Sequence, residues 1–313
     1  MYYNRQEEPI WRCDCGMKKI GFIDYYLSEW HANNYPAWIR EIDPAFEVAY
    51  AWAEVDVSPA DGVTTDEWCE KFGAQKCSSI AEVCEKADYL IVLSPDNPER
   101  HLDYARQVFP CGKPCYMDKT FAPDAETARA IFALAKQYGV KLFSSSALRF
   151  ADELADWQES LRSVTVSGSG RLDIYLIHFV EIAVRLMGAD VGSVMALSGG
   201  RNTVLAMKYR DGRIANLCLY DSRHAPGFAI SPESADPEKR LPYVNIGGDY
   251  FKRLIAAILA MFDGADVPVK PEETVTVIGV MQAARVAAER PWTEVRLPAR
   301  STQESQTGMC EKC

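Results

Sequence analysis

Over the first half of the chain, short runs of consecutive apolar residues alternate with stretches of helical spacing. Segments 20–23, 46–53, 89–93, 114–117 and 141–144 read as strands, and 31–42, 65–72, 80–86, 98–109 and 124–138 as the helices between them. Short strands apolar throughout belong to a parallel sheet with helices on both faces. Right-handed crossovers then give a doubly wound, Rossmann-type arrangement. After about Phe150 the pattern changes. A helix at 152–161 leads into strands at 163–167, 193–199, 203–209 and 214–220, with a helix at 177–187. Asp211-Gly212 between two alternating runs marks a hairpin. Helices at 250–262 and 272–290 and a strand at 294–297 close the pattern. The fold class is therefore α/β: an N-terminal Rossmann domain at 17–145 and an α+β domain at 146–299 with an open, mostly antiparallel sheet. Residues 1–16 read as an extension, with Met17 a plausible start, and 300–313 as a flexible tail.

Composition narrows the partners. With 313 residues the chain exceeds what one core usually serves. A net charge of -10 without a basic stripe argues against nucleic acid. There is no apolar run of membrane-spanning length and no leader pattern, so a cytoplasmic protein is expected. Ten cysteines scattered through helices and strands read as reduced thiols. Cys13, Cys15, Cys310 and Cys313 would suffice for a four-thiolate zinc site. The C-x-C spacing of Cys13 and Cys15 favours two unconnected tails instead, and no metal is expected.

Candidate chemistry gathers at the C-terminal ends of the parallel strands, where such sheets bind ligands. The first strand runs into Asp24-Tyr25-Tyr26-Leu27-Ser28-Glu29, a turn without glycine. The second ends near Glu54, which would hold a ribose diol and disfavour a 2′-phosphate, or be a solvated loop acid. The third ends in Ser94-Pro95-Asp96-Asn97, with His101 following. The fourth ends in Asp118-Lys119-Thr120, where Lys119 would hold a substrate hydroxyl or form a surface ion pair. His178 and Glu181 share a helical face, suiting proton transfer with an orienting carboxylate, or packing.

These motifs, in this order over residues 18–298, resemble the Gfo/Idh/MocA family, the glucose–fructose oxidoreductase and inositol dehydrogenase group. Ile20-Gly21-Phe22-Ile23 with His31 is similar to its first strand and turn. Asp118-Lys119-Thr120 stands at its Glu-Lys-Pro motif, and Ile177-His178-Phe179-Val180-Glu181 at its catalytic histidine. Asp211-Gly212-Arg213 and Pro271-Glu272-Glu273-Thr274 follow its later signatures. The resemblance implies hydride transfer between a nicotinamide, NAD(H) rather than NADP(H), and a sugar, inositol or other polyhydroxy compound. It implies Lys119 and His178 as catalytic residues. Asp24, Tyr25, Tyr26, Glu54, Ser94, Pro95, Asn97, His101 and Asp118 would line the cofactor cleft, and Arg149, Tyr175 and Glu181 would meet substrate. Pairing through the open sheet into a homodimer or homotetramer follows as well. The absent glycines, and Asp-Lys-Thr in place of Glu-Lys-Pro, favour a second reading: a non-catalytic or regulatory relative. A lyase or hydrolase acting through a transiently oxidised sugar, with tightly retained NAD, is a third.

Overall fold

The computed structural model describes residues 16–222 and 227–298. Cys13, Cys15, Cys310 and Cys313, and both terminal segments apart from Gly16, lie outside them. The first half runs β1 (Lys18–Asp24), α1 (Trp30–Ile42), β2 (Phe46–Ala53), α2 (Thr65–Phe72), β3 (Gln75–Lys76), α3 (Ile80–Lys86), β4 (Tyr89–Val92), α4 (His101–Val108), β5 (Cys115–Met117), α5 (Ala125–Gln137) and β6 (Leu142–Phe143). Its six strands lie in the order β3-β2-β1-β4-β5-β6, and all pair in parallel. The order reverses between β1 and β4, which opens a crevice beyond their C-terminal ends. Local sequence sets the helix ends. Thr64 and Glu67 form a capping box on α2, and Gly73 ends that helix at φ 72°. Ser79 and Asp124 cap α3 and α5. Gly21, inside β1, lets α3 pack closely, since a Cβ there would overlap Val83.

The second half runs α6 (Asp152–Ala155), β7 (Leu161–Ser169), α7 (Leu172–Met187), β8 (Val191–Gly199), β9 (Asn202–Tyr209), β10 (Ile214–Tyr220), β11 (Ala229–Ser234), β12 (Val244–Asn245), α8 (Tyr250–Phe262), α9 (Pro271–Glu289) and β13 (Val295–Arg296). Seven strands lie in the order β12-β11-β7-β10-β9-β8-β13. All neighbours are antiparallel except β7 and β10. One face buries Val164, Leu205 and Leu217 against Phe179, Val180, Val277 and Ala284 of α7 and α9.

Two expectations are corrected. The helix expected at 152–161 is the single turn α6, because Leu161, Val164 and Val166 point into the core as strand residues. And α8, which follows the second sheet in sequence, packs on the first: Leu254, Ile255, Ile258 and Phe262 share a core with Phe22, Tyr35, Ile39 and Phe46. The six described cysteines form no disulfide. Among the described residues no helix is long and apolar enough to cross a membrane, and no cluster is placed to hold a metal.

Candidate active site

The ends of β1, β4 and β5 converge on two buried carboxylates. Asp24 ends β1, and its Oδ1 accepts from the amides of Tyr25 at 2.7 Å and Ser94 at 2.9 Å. Ser94 holds this position at φ 59°, a left-handed conformation uncommon for serine. Asp118, just beyond β5, accepts at Oδ1 from the Tyr116 hydroxyl at 2.9 Å. The Oδ2 atoms of Asp24 and Asp118 are buried and accept no hydrogen bond. Asp118 Oδ2 lies 3.5 Å from His31 Nδ1. Burial, then the nearby Glu29 charge, pushes the Asp24 carboxyl well above the usual range; bonds from the Tyr25 and Ser94 amides oppose this, and Asp118 adds to it.

Since the folded-state value exceeds the unfolded one, the fold favours the protonated carboxyl. Asp24 therefore costs stability as pH rises from the unfolded value through the folded one. Asp24→Asn keeps the Oδ1 acceptor and removes the charge. We expect it to stabilise the protein by about 1–3 kcal/mol at pH 8, the scale of a buried unsatisfied group, with the gain fading towards pH 4. Thermal unfolding at the two pH values checks this; a lower Tm than wild type at pH 8 contradicts it.

The N-terminus of α1 is occupied by the chain itself. The Glu29 carboxylate accepts from the amides of His31 at 2.8 Å and Ala32 at 2.5 Å, and lies 3.1 Å from His31 Nδ1. Burial opposes the His31 imidazolium, but Asp118 and then Glu29 outweigh it and raise the imidazole above its ordinary value. The segment after β2 closes over the same turn. Val55 N donates to Tyr25 O, Ser58 Oγ to Ser28 O, and Ser28 Oγ to Asp61. Tyr25 and Tyr26 are half-buried there, ring to ring at 6.1 Å.

Lys119, half-buried, follows Asp118 at the crevice. Asp118 turns to Tyr116 and His31, and among the described residues no carboxylate pairs with Lys119. Its ammonium opposes protonation of both His31 and His178, although His31 remains raised overall. The three groups are thus near enough to interact electrostatically. His178 comes from α7, and its Nδ1 lies 2.6 Å from Ser146 Oγ. Burial, then Lys119 and His31, pushes His178 down to about 3, so it is neutral at physiological pH. Ser146 is itself fixed: its Oγ accepts from Leu148 N at 3.3 Å, and its amide donates to Glu181 Oε1 at 3.3 Å.

The remaining candidates take varied places. Glu181 and Arg149 are buried and paired at 3.3 Å, and Arg149 also binds Glu273. Glu181 lies behind the Ser146–His178 bond, whereas Arg149 and Glu273 line a cavity of about 1040 Å³. Tyr175 is exposed, its ring 5.6 Å from His178. His101 is fully buried, with Nε2 2.7 Å from Leu93 O and Nδ1 3.0 Å from Phe121 O. It braces the loops after β4 and β5 instead of lining a cleft. Glu54 is held by Arg100 at 2.9 Å and by the Tyr104 hydroxyl at 2.7 Å. Pro95 and Asn97 stay partly exposed beyond β4. Sequence reasoning missed the ligating parts played by Glu29, His31 and Ser146. The spacing of Glu29 and His31 at the start of a helix was a usable signal; Ser146 carried none.

A dinucleotide on this fold places its diphosphate at the N-terminus of α1. The amides of His31 and Ala32 do hold an anion, the Glu29 carboxylate standing in for it. The same two amides are the donors a diphosphate would need, and Glu29 occupies them.

Comparison with known proteins agrees with the fold. Residues 47–146 match the family model described as "Oxidoreductase family, NAD-binding Rossmann fold", GFO_IDH_MocA; the match begins after the glycine-free turn. No curated protein matches by sequence. UDP-N-acetylglucosamine 3-dehydrogenase GnnA from Acidithiobacillus ferrooxidans superposes with TM-score 0.71 at 15% identity, covering 87% of this chain and 97% of its own. Scyllo-inositol dehydrogenase from Lactobacillus casei, solved with NAD(H) and scyllo-inositol, gives 0.68 at 15% over 90% and 99%. The WlbA dehydrogenase from Bordetella pertussis, in complex with NADH and UDP-GlcNAcA, gives 0.67 at 14% over 91% and 99%. Residues 47–146 thus match the Gfo/Idh/MocA oxidoreductase family model, and the whole two-sheet fold is similar to that of these dehydrogenases.

Proposed function

We propose that the protein is a nicotinamide-dependent dehydrogenase of a sugar, inositol or related polyhydroxy compound, using NAD(H), with Lys119 and His178 handling the substrate hydroxyl. The observation that carries this reading is His178 anchored at Nδ1 by Ser146, with Lys119, which has no carboxylate partner among the described residues, near enough to act on it electrostatically. In oxidation, Lys119 holds the hydroxyl oxygen and favours its loss of a proton. His178 takes that proton at Nε2 in the tautomer whose Nδ1–H donates to Ser146 Oγ. The lowered imidazole is neutral at physiological pH, so its Nε2 is free to accept, and its imidazolium returns the proton readily in reduction. The chemistry a nicotinamide supplies when bound is acceptance of hydride from the carbon bearing that hydroxyl. Asp118 acts indirectly, orienting His31 beside the pair.

A second reading, ligand binding without redox turnover, is favoured by one feature: the Glu29 carboxylate at the diphosphate position. Pairing of two copies through the open face of the second sheet is supported by the exposed Val204 and Ile214. Absorbance at 340 nm with NAD+ or NADP+ and a panel of inositols, sugars and sugar nucleotides tests the redox reading. Reduction of NAD+ by at least one polyol or sugar is expected. No reduction across the panel, with polyol binding retained, supports the second reading.

A further inference from the structure

We propose that the Glu29 carboxylate is an internal competitor for the diphosphate of a dinucleotide, and that cofactor binding requires it to leave the N-terminus of α1; this rests on the oxidoreductase reading above. α1 is a 13-residue helix whose first free amides, those of His31 and Ala32, both point at Glu29. A diphosphate at this position needs the same donors. The carboxylate is held by more than the helix, because His31 Nδ1 lies 3.1 Å from Oε2, and Asp118 Oδ2, buried and without a hydrogen bond, lies 3.5 Å from the same nitrogen. Asp24 adds a second buried carboxyl oxygen without a hydrogen bond, near enough to Glu29 to feel its charge. An incoming diphosphate therefore meets acidic side chains as well as occupied amides.

The turn itself is sealed by its neighbours. The ladder between β1 and β2 continues one residue further, through Val55 N to Tyr25 O, and Ser28 is tied to both Ser58 and Asp61. In a glycine-containing turn the backbone alone presents these amides to the ligand. Here a side chain of the turn satisfies them first. The apo form is thereby self-capped, and the affinity for dinucleotide is set by how readily Glu29 yields.

The test is direct binding to the full-length chain. ADP-ribose is titrated by calorimetry and NADH by fluorescence into wild type, Glu29→Gln and Glu29→Gly. Glutamine keeps a carbonyl acceptor for one amide, so α1 remains capped even where the glycine variant folds poorly. Losing a charged competitor from two hydrogen bonds is expected to tighten both probes on the order of 10- to 100-fold. Equal, measurable affinity in wild type and variants overturns the proposal, leaves the redox reading standing and makes Glu29 a simple helix cap. No binding of either probe by any of the three proteins up to millimolar concentration overturns the proposal and the redox reading together.

Discussion

Lys119→Ala is expected to lower kcat/KM for the polyhydroxy substrate by about 10²–10⁴-fold, the range for losing a positioned acid–base partner. The effect is electrostatic. Lys119 pairs with no carboxylate among the described residues, and the neighbouring Asp118 is engaged by Tyr116 and His31 instead. Its ammonium is left to act on whatever oxygen lies beside His178. A structural lysine behaves otherwise: its removal lowers stability. Here Tm is expected to stay within a few degrees of wild type, because a half-buried side chain with no ion pair contributes little. A second signature separates the roles. Lys119 is one of the groups that lower His178, so in Lys119→Ala the imidazole titrates at higher pH, visible in its NMR ring-proton shifts. Unchanged kcat/KM with an unmoved His178 titration contradicts the assignment.

The largest stability effect is expected at Arg149. Its side chain is 5% exposed and sits between Glu181, 3% exposed, and Glu273. Arg149→Leu leaves Glu181 buried without its cation, a defect of about 3–5 kcal/mol, which corresponds to a fall in Tm on the order of 10 °C. Burial already raises the Glu181 carboxyl, and Arg149 is the main opposing influence. In the variant the folded-state value rises further above the unfolded one, so the loss is greatest at alkaline pH and shrinks as acid protonates Glu181. The double variant Arg149→Leu, Glu181→Leu is expected to recover much of the loss, since only Glu273, 19% exposed, is then left without its cation. Thermal unfolding of the single and double variants at pH 6 and pH 8 checks both statements. A double variant no more stable than the single one contradicts the ion-pair explanation.

Both predictions concern groups whose residue types stood out in the sequence, but only one role was readable there. Lys119 follows an apolar strand directly, and strand ends are where parallel sheets carry ligands, so its place in the crevice follows from local order. Arg149 meets Glu273 across 124 residues, and no periodicity reports such a contact. The same divide runs through the fold. β2, α2 and α3 were legible to the residue because apolar runs end at Thr64, Gly73 and Ser79, which cap and stop helices by their own chemistry. β11 was not, because Pro232, Ser231 and Glu233 obscure its alternation, and its pairing with β7 is supplied from elsewhere in the chain. α8 was legible as a helix but not as a partner of α1, since a hydrophobic stripe does not name the surface that covers it. His101 drew notice as a polar residue near the cleft, yet two backbone carbonyls claim it as a brace. Glu29 passed unnoticed because helix caps are usually Ser, Thr, Asp or Asn.

A crystal structure of the protein soaked with NADH and a polyol that it oxidises is the measurement closest to the central claim. The account requires the diphosphate at the amides of His31 and Ala32 with Glu29 turned away. It also requires one substrate hydroxyl within hydrogen-bond reach of both Lys119 Nζ and His178 Nε2, its carbon roughly 3–3.5 Å from nicotinamide C4. Glu29 still capping α1, with the polyol bound far from Lys119 and His178, contradicts it.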